Sequence, residues 1–186
     1  MKDCLMDEHD KSVSDSQSVS IKGTYTEHLN NLRQILAQDS YAGEPWMHAF
    51  VVAGCMILSQ LAPAEKLQLT RPDYAGRLPA LVRTPFVLGY IFGTIAAALD
   101  RGGIDRHSSE ATSVIVTVHQ LVFGGISFED CIQLSVLASG DEDFSLGMDA
   151  AAQDADGFAA SNEAPASLSK WLNAQLDVVA QGEKTP

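Results

Sequence analysis

Residues 84–103, TPFVLGYIFGTIAAALDRGG, predict a helix that is apolar on nearly every side. Thr84 is a suitable N-cap, and Pro85 suits the first helical position because the N–H that proline lacks would be unpaired there. Gly102 and Gly103 predict the end of the helix. A helix without a polar face belongs in a core, an interface or a membrane, so the rest of the chain has to be arranged around this one.

Two glycines on this helix predict a close approach by another backbone. Gly89 and Gly93 are four residues apart, so their missing side chains lie on one helix face. One interpretation is a close crossing with the second apolar helix of the same chain. The alternative is a contact between copies, in which Phe86 and Phe92 accompany the two glycines. A membrane-embedded crossing is a third use of the same pattern.

The second apolar helix is predicted over residues 45–63, PWMHAFVVAGCMILSQLAP. Pro45 suits its first turn, and Pro63 is expected to end it. The most apolar stretches of the two helices, Trp46–Leu61 and Pro85–Leu99, are each shorter than the ~20 residues needed to cross a bilayer. The sequence therefore predicts no membrane-spanning segment.

The remaining helices are predicted to be amphipathic. The first starts at Thr24, which has the capping-box spacing with Glu27, and ends near Asp39. Apolar spacing and end signals predict three more, over residues 108–123, 127–137 and 165–181. Gly124 and Gly125 are expected to end the first of these, and Ser127, with Asp130, is expected to cap the start of the second. The predicted fold is all-α, a single-domain bundle of about six helices with two largely apolar central helices.

The chain is expected to consist of one domain with a tail at each end. Residues 1–23 predict a disordered, Ser-rich acidic tail, because they cannot bury enough apolar surface to become ordered. The bundle is expected over 24–182, with an acidic, loosely ordered segment at 139–164, and 183–186 form a C-terminal tail. The N-terminus lacks the apolar core of a secretory signal, and the three cysteines are scattered. These features predict a cytoplasmic protein.

Charge is distributed unevenly along the chain. Residues 71–106 hold five of the six arginines, whereas the residues after 106 contain twelve acids and two lysines. We expect the two regions to meet. The net charge of −12 predicts no direct binding to nucleic acid, whose phosphates would be repelled.

Four side chains are candidates for a ligand site. Arg83 and Arg101, at the two ends of the apolar helix, could bind an anionic ligand through their planar guanidinium groups. Tyr90 and His119 would supply further polar groups to a pocket between helices. The alternative is ordinary ion pairing for the arginines and a hydrogen-bonded core position for the histidine.

The acidic segment contains a partial calcium-binding pattern. Asp154, Asp156 and Glu163 occupy positions three, five and twelve of an EF-hand loop counted from Ala152. Alanine in the first position and Pro165 at the expected exit helix argue against such a loop. A solvated acidic loop is the alternative, and no cofactor is predicted, since P-loop, G-x-G-x-x-G and G-x-S-x-G motifs are missing.

These observations favour a non-enzymatic interaction or regulatory protein that self-associates or docks a protein partner through exposed parts of its two apolar helices. A second hypothesis is a small-molecule-binding protein or enzyme with a pocket between helices, because catalytic residues can be distant in sequence. A third is an acidic mimic of nucleic-acid phosphate that occupies a basic, nucleic-acid-binding protein.

Overall fold

The structure is a computed structural model that describes residues 23–38, 44–124, 127–161 and 163–182. These ranges contain eight α-helices, one 3-10 turn and no strand, which confirms the all-α class. The predicted number of about six helices is wrong, and most of the tails predicted at 1–23 and 183–186 lies outside the described residues. The helices are α1 (Tyr25–Ala37), α2 (Pro45–Thr70), α3 (Leu78–Leu81), α4 (Pro85–Arg101), α5 (Ser109–Phe123), α6 (Phe128–Ala138), α7 (Glu142–Ser161) and α8 (Ser167–Gly182), with the 3-10 turn at Pro72–Tyr74.

Helix ends follow the local signals in the sequence. The capping box at α1 is complete, since Thr24 Oγ1 accepts from the Glu27 N–H at 3.1 Å and the Thr24 N–H donates to Glu27 at 2.8 Å. Ser127 accepts from the N–H of Asp130 in the same way at the start of α6. Gly124 ends α5 in the left-handed region, with φ 71°, which glycine adopts without strain.

Pro63 does not end α2, contrary to the sequence prediction. The helix continues for seven residues beyond it, to Thr70, so α2 is 26 residues long. Proline has no N–H, so Pro63 leaves the carbonyl of Ser59 without its helical partner. Pro63 is exposed and Ser59 is partly exposed, so water can reach this carbonyl. The residues on either side of it, Ala62 and Ala64, are buried, and this packing outweighs the break that proline favours.

The extra length of α2 removes the reason given above against a membrane span, which was that the helix is too short. Among the described residues, α2 is long and apolar enough to cross a membrane, and Pro72–Leu81 joined to α4 across a 58° bend passes the same test. However, 61% of the most apolar window of α2 is buried inside the protein, and a core helix meets the same criteria. The assumption that this helix is too short to span a bilayer was wrong, but its length alone is weak support for a span.

The segment predicted to be loosely ordered, 139–164, contains the 20-residue helix α7. This helix lies directly on the glycine face of α4, which the sequence predicts for the second apolar helix, another copy or a membrane crossing. A Cβ atom at Gly89 would overlap the carbonyl of Phe144, and one at Gly147 would overlap the carbonyl of Phe86. The two backbones therefore touch, with glycine required on both sides.

The core is organised around α2 and α4. Helix α2 contacts α1, α4, α5 and α8, and α4 is covered by α2, α5, α6 and α7. The main buried cluster consists mostly of apolar residues from α1, α2, α4, α5 and α8. Helix α7 adds Ala151 to it. Apart from Phe144, the buried residues of α7 are glycine and alanine, which explains why its composition did not identify it as a core helix.

Candidate functional site

Tyr90 lies in a buried hydrogen-bond network rather than in an open pocket. Its hydroxyl donates to Asp154 Oδ2 at 2.7 Å and accepts from Gln60 Nε2 at 2.6 Å. Gln60 Oε1 in turn accepts from the N–H of Ser169 at 3.1 Å. Burial, with a further contribution from the Asp154 carboxylate, raises the pKa of Tyr90, so the hydroxyl stays protonated.

Asp154 caps helix α8 from a distance of twelve residues or more along the chain. Its Oδ2 accepts from the N–H groups of Ala166 at 3.2 Å and Ser167 at 3.0 Å, and its Oδ1 accepts from the Ser167 hydroxyl at 2.8 Å. These N–H groups at the helix start have no partner within the helix. The network thus joins α2, α4, α7 and α8, and its polar groups are occupied by one another.

Glu65, on α2, caps the start of helix α1 as Asp154 caps the start of α8. Its two carboxylate oxygens accept from the N–H of Tyr25 at 3.1 Å and of Thr26 at 3.3 Å, at the start of α1. The Tyr25 hydroxyl then donates to the carbonyl of Val122 at 2.9 Å, and burial raises the pKa of Tyr25 to about 12. The part of α2 beyond Pro63 is therefore needed to anchor α1.

His119 is fully buried, and among the described residues its ring has one hydrogen-bond partner. Its Nδ1 lies 2.8 Å from the carbonyl oxygen of Ile115, to which Nδ1–H donates. Its Nε2 is buried without a hydrogen-bond partner in the described ranges. The ring lies against Phe92, with centroids 5.0 Å apart, and Phe123, at 5.8 Å. Burial lowers the pKa of His119, which favours the neutral ring.

The two candidate arginines have different surroundings and do not converge. Arg101 donates to the carbonyl of Ala155 and forms an ion pair with Asp156 at 3.2 Å, so here the arginine region does meet the acidic half. Arg83 is exposed at the other end of α4. It lines a cleft of about 290 Å³ between α1, α2, α3 and α5, together with Tyr25, His28, Glu65, Gln68, Leu78, Pro79, Val82 and Val122.

The EF-hand pattern does not form a loop. Asp154 and Asp156 both lie within the continuous helix α7, where one caps α8 and the other pairs with Arg101. Glu163 follows the helix. Among the described residues no group of three or more acidic, histidine or cysteine side chains is arranged to hold a metal ion. The oxygen ligands of a calcium loop require a turn at Gly157, which is helical here.

The four residues proposed for a contact between copies are used inside the chain. Gly89 and Gly93 receive α7, and a Cβ at Gly93 would lie 2.8 Å from that of Ala151. Phe86 stacks on Trp171, with centroids 4.8 Å apart and an interplanar angle of 8°. Phe92 packs against His119 and Phe144.

Helix α6 exposes three large apolar side chains within six residues. Ile132 is 42% exposed, Val136 is 67% exposed and Leu137 is 82% exposed. The opposite side of α6 contacts the protein through Cys131 and Ala138, both buried. We name the outward set of Ile132, Val136 and Leu137 the α6 face. The sequence predicted this helix, but α6 is apolar on both sides, so its periodicity did not indicate which side the rest of the chain covers.

Negative charge borders the α6 face at both ends. Glu129 and Asp130 lie in the first turn of α6, and Asp141, Glu142 and Asp143 follow its end. All five are exposed. Residues 107–169 contain no lysine or arginine, so no cation from this stretch neutralises them. The α6 face is therefore an apolar patch between two groups of carboxylates.

No protein-family model, no curated protein and no solved structure matches this chain. The function therefore has to be inferred from the geometry and charge of the described residues.

Proposed function

We propose that residues 24–182 form one helical-bundle domain, non-enzymatic, that docks a protein partner on the α6 face. The observation that carries this proposal is the exposure of Ile132, Val136 and Leu137 on one side of a single helix. Burying a side chain of this size is worth about 1.5–3 kcal/mol, so three together can contribute substantially to an interface. Exposed apolar side chains grouped in this way are typical of interaction surfaces.

The state of the polar candidates supports the non-enzymatic part of the proposal. Tyr90 and Asp154 are occupied by each other and by the start of α8. His119 lies against the rings of Phe92 and Phe123, its Nδ1 is bonded to the Ile115 carbonyl, and its Nε2 has no hydrogen-bond partner among the described residues. General acid–base catalysis needs a titratable group that reaches a substrate, and these groups are turned inward.

Site-specific photo-crosslinking tests the docking surface. A benzophenone amino acid is placed at Val136 and, as the matched control, at Leu69, which is 78% exposed near the end of α2. In cells of the source organism we expect a discrete crosslinked species from position 136 and none from position 69. Its mass separates a protein partner from a second 19.9 kDa copy. Equal crosslinking from both positions would contradict the proposal.

A second candidate function is the binding of a small anionic molecule in the cleft beside Arg83. The observation that favours it is a cleft of about 290 Å³ whose lining includes an arginine without an ion pair in the described structure. Small carboxylates and phosphates would be screened for an increase in unfolding temperature. An increase that Arg83→Gln removes, while Arg77→Gln retains it, would support this function.

A further inference from the structure

We infer that the partner of the α6 face is a basic amphipathic helix, with one apolar stripe bordered by lysine or arginine. This inference rests on the proposed docking function and adds the chemistry of the partner. It follows from three features of α6: the spacing of its apolar side chains, the charge at its two ends, and the poor fit of the chain's own segments to the same surface.

The spacing suits a helical ligand. Ile132 and Val136 are four residues apart and lie in one line along α6, while Leu137 lies about 100° further around the helix. Helix α6 has 11 residues, which corresponds to about 16 Å. A second helix laid along α6 would bury the line formed by Ile132 and Val136, and its own apolar side chains would recur at three and four residues, the usual arrangement for helix recognition.

The charge at the borders selects for a basic ligand. Glu129 and Asp130 precede the apolar side chains, and Asp141, Glu142 and Asp143 follow them. A helix that covers the patch brings its own flanking residues close to these carboxylates. Charges at the rim of an interface contribute mainly to the choice of partner and to the rate of association. Cations at the ligand's ends are therefore attracted, and anions are repelled.

The same charges disfavour the two occupants that the chain itself could provide. A second copy, with net charge −12, would bring its own acidic groups against these carboxylates. Residues 1–22 contain five acidic residues and three lysines, so this segment is acidic too. A basic helix from another protein satisfies both the apolar and the charged part of the surface.

Three synthetic 18-residue peptides test the inference by fluorescence anisotropy with the full chain. The first has a leucine stripe flanked by lysine, the second has the same stripe flanked by glutamate, and the third has the composition of the first with the leucines distributed around the helix. We expect the first peptide to bind about tenfold more tightly than either of the others, and to weaken as salt is raised.

Two variants with equal change in charge locate the binding. Leu137→Glu is expected to weaken the first peptide about tenfold, whereas Leu69→Glu, at a similarly exposed site on α2, leaves its affinity within about twofold. Circular dichroism and the denaturation midpoint verify that both variants are folded. An equal loss in both variants would overturn the inference.

The other outcomes are equally decisive. Equal binding of the first and third peptides would overturn the inference. It would mean that the protein attracts any basic peptide through its net negative charge, as an acidic mimic of nucleic acid would. Tighter binding of the glutamate peptide would overturn the basic partner while the docking surface stands. Crosslinking from Val136 to residues 1–22 or to a second copy would also overturn it. The absence of any crosslink from Val136 contradicts the docking function itself.

Discussion

The contact between α4 and α7 is closed, whereas the outer surface of α6 is exposed. In the first, glycines on both helices bring the backbones together, and a tyrosine, an aspartate and a glutamine satisfy one another beside them. In the second, large apolar side chains remain exposed with carboxylates at both ends. The difference shows that the fate of an apolar helix face depends on what its neighbours can place against it.

The largest effect is expected where the two backbones touch. Gly147→Ala places a methyl group in the position of the Phe86 carbonyl, so α7 must move away from α4. We expect a loss of about 3 kcal/mol in the free energy of unfolding, despite the ~1 kcal/mol that alanine gains over glycine in a helix. Chemical denaturation measures the loss.

Gly140→Ala is the control for that substitution. A Cβ at Gly140 meets nothing within 4 Å, so we expect a change within about 0.5 kcal/mol. If Gly147→Ala is as stable as the parent, α7 is not packed on α4 in the way described, and the contrast with α6 disappears.

Part of this contact could be predicted from the sequence. The spacing of Gly89 and Gly93 indicated a close backbone approach, but it carried no information on which helix would approach. Helix α7 was missed because three of its four buried residues, Gly147, Ala151 and Ala155, are small and add little to apolar composition, and Phe144 alone does not make an apolar stripe. Sequence periodicity weighs large side chains most heavily, whereas this contact depends on their absence.

Local signals were more informative than compositional ones. The capping box at Thr24, the serine cap at Ser127 and the glycine stop at Gly124 were all confirmed, because each depends on atoms within a few residues. The prediction that Pro63 ends α2 was wrong, because burial of Ala62 and Ala64 outweighed the tendency of proline to break a helix. The partners of Tyr90 and Arg101, and the exposed side of α6, depend on long-range packing that one sequence does not reveal.

The next largest effect is expected in the hydrogen-bond network beside the contact. Asp154→Ala leaves the N–H groups of Ala166 and Ser167 without their acceptor and removes a partner of Tyr90. We expect a loss of about 2 kcal/mol in the free energy of unfolding, measured by urea denaturation. Asp156→Ala, two residues along the same helix, removes only an exposed ion pair and should cost less than about 1 kcal/mol. Equal losses would mean that the α8 cap contributes little.

A smaller effect that depends on pH is expected at His119. Burial lowers the pKa of this histidine in the folded state below the ordinary value of 6.5. The unfolded chain therefore binds the proton more readily, so stability is full above about pH 6.5 and falls as the pH drops below it, by at most ~1.4 kcal/mol per pH unit. His119→Leu should remove this part of the pH dependence, measured as the denaturation midpoint between pH 7.5 and 5.5.

His107→Leu is the matched variant for this measurement, since His107 is exposed near the start of α5. It controls for the loss of one imidazole, and the difference in slope between the two variants is the part that belongs to the buried ring. A slope that stays the same in His119→Leu would show that the buried ring does not resist protonation, and that His119 is not enclosed by Phe92 and Phe123 as described.

The smallest effect on stability is expected on the α6 face, which is the other half of the comparison. Val136→Ser removes an apolar side chain that is 67% exposed, so we expect the free energy of unfolding to change by less than about 0.5 kcal/mol. Ala138→Ser, on the buried side of the same helix, should cost more, because its hydroxyl enters the contact between α6 and the protein. Urea denaturation of both variants measures this difference. A loss at Val136 as large as that at Ala138 would mean that another part of the chain covers the α6 face in solution, and the surface would then belong to the fold rather than to a partner.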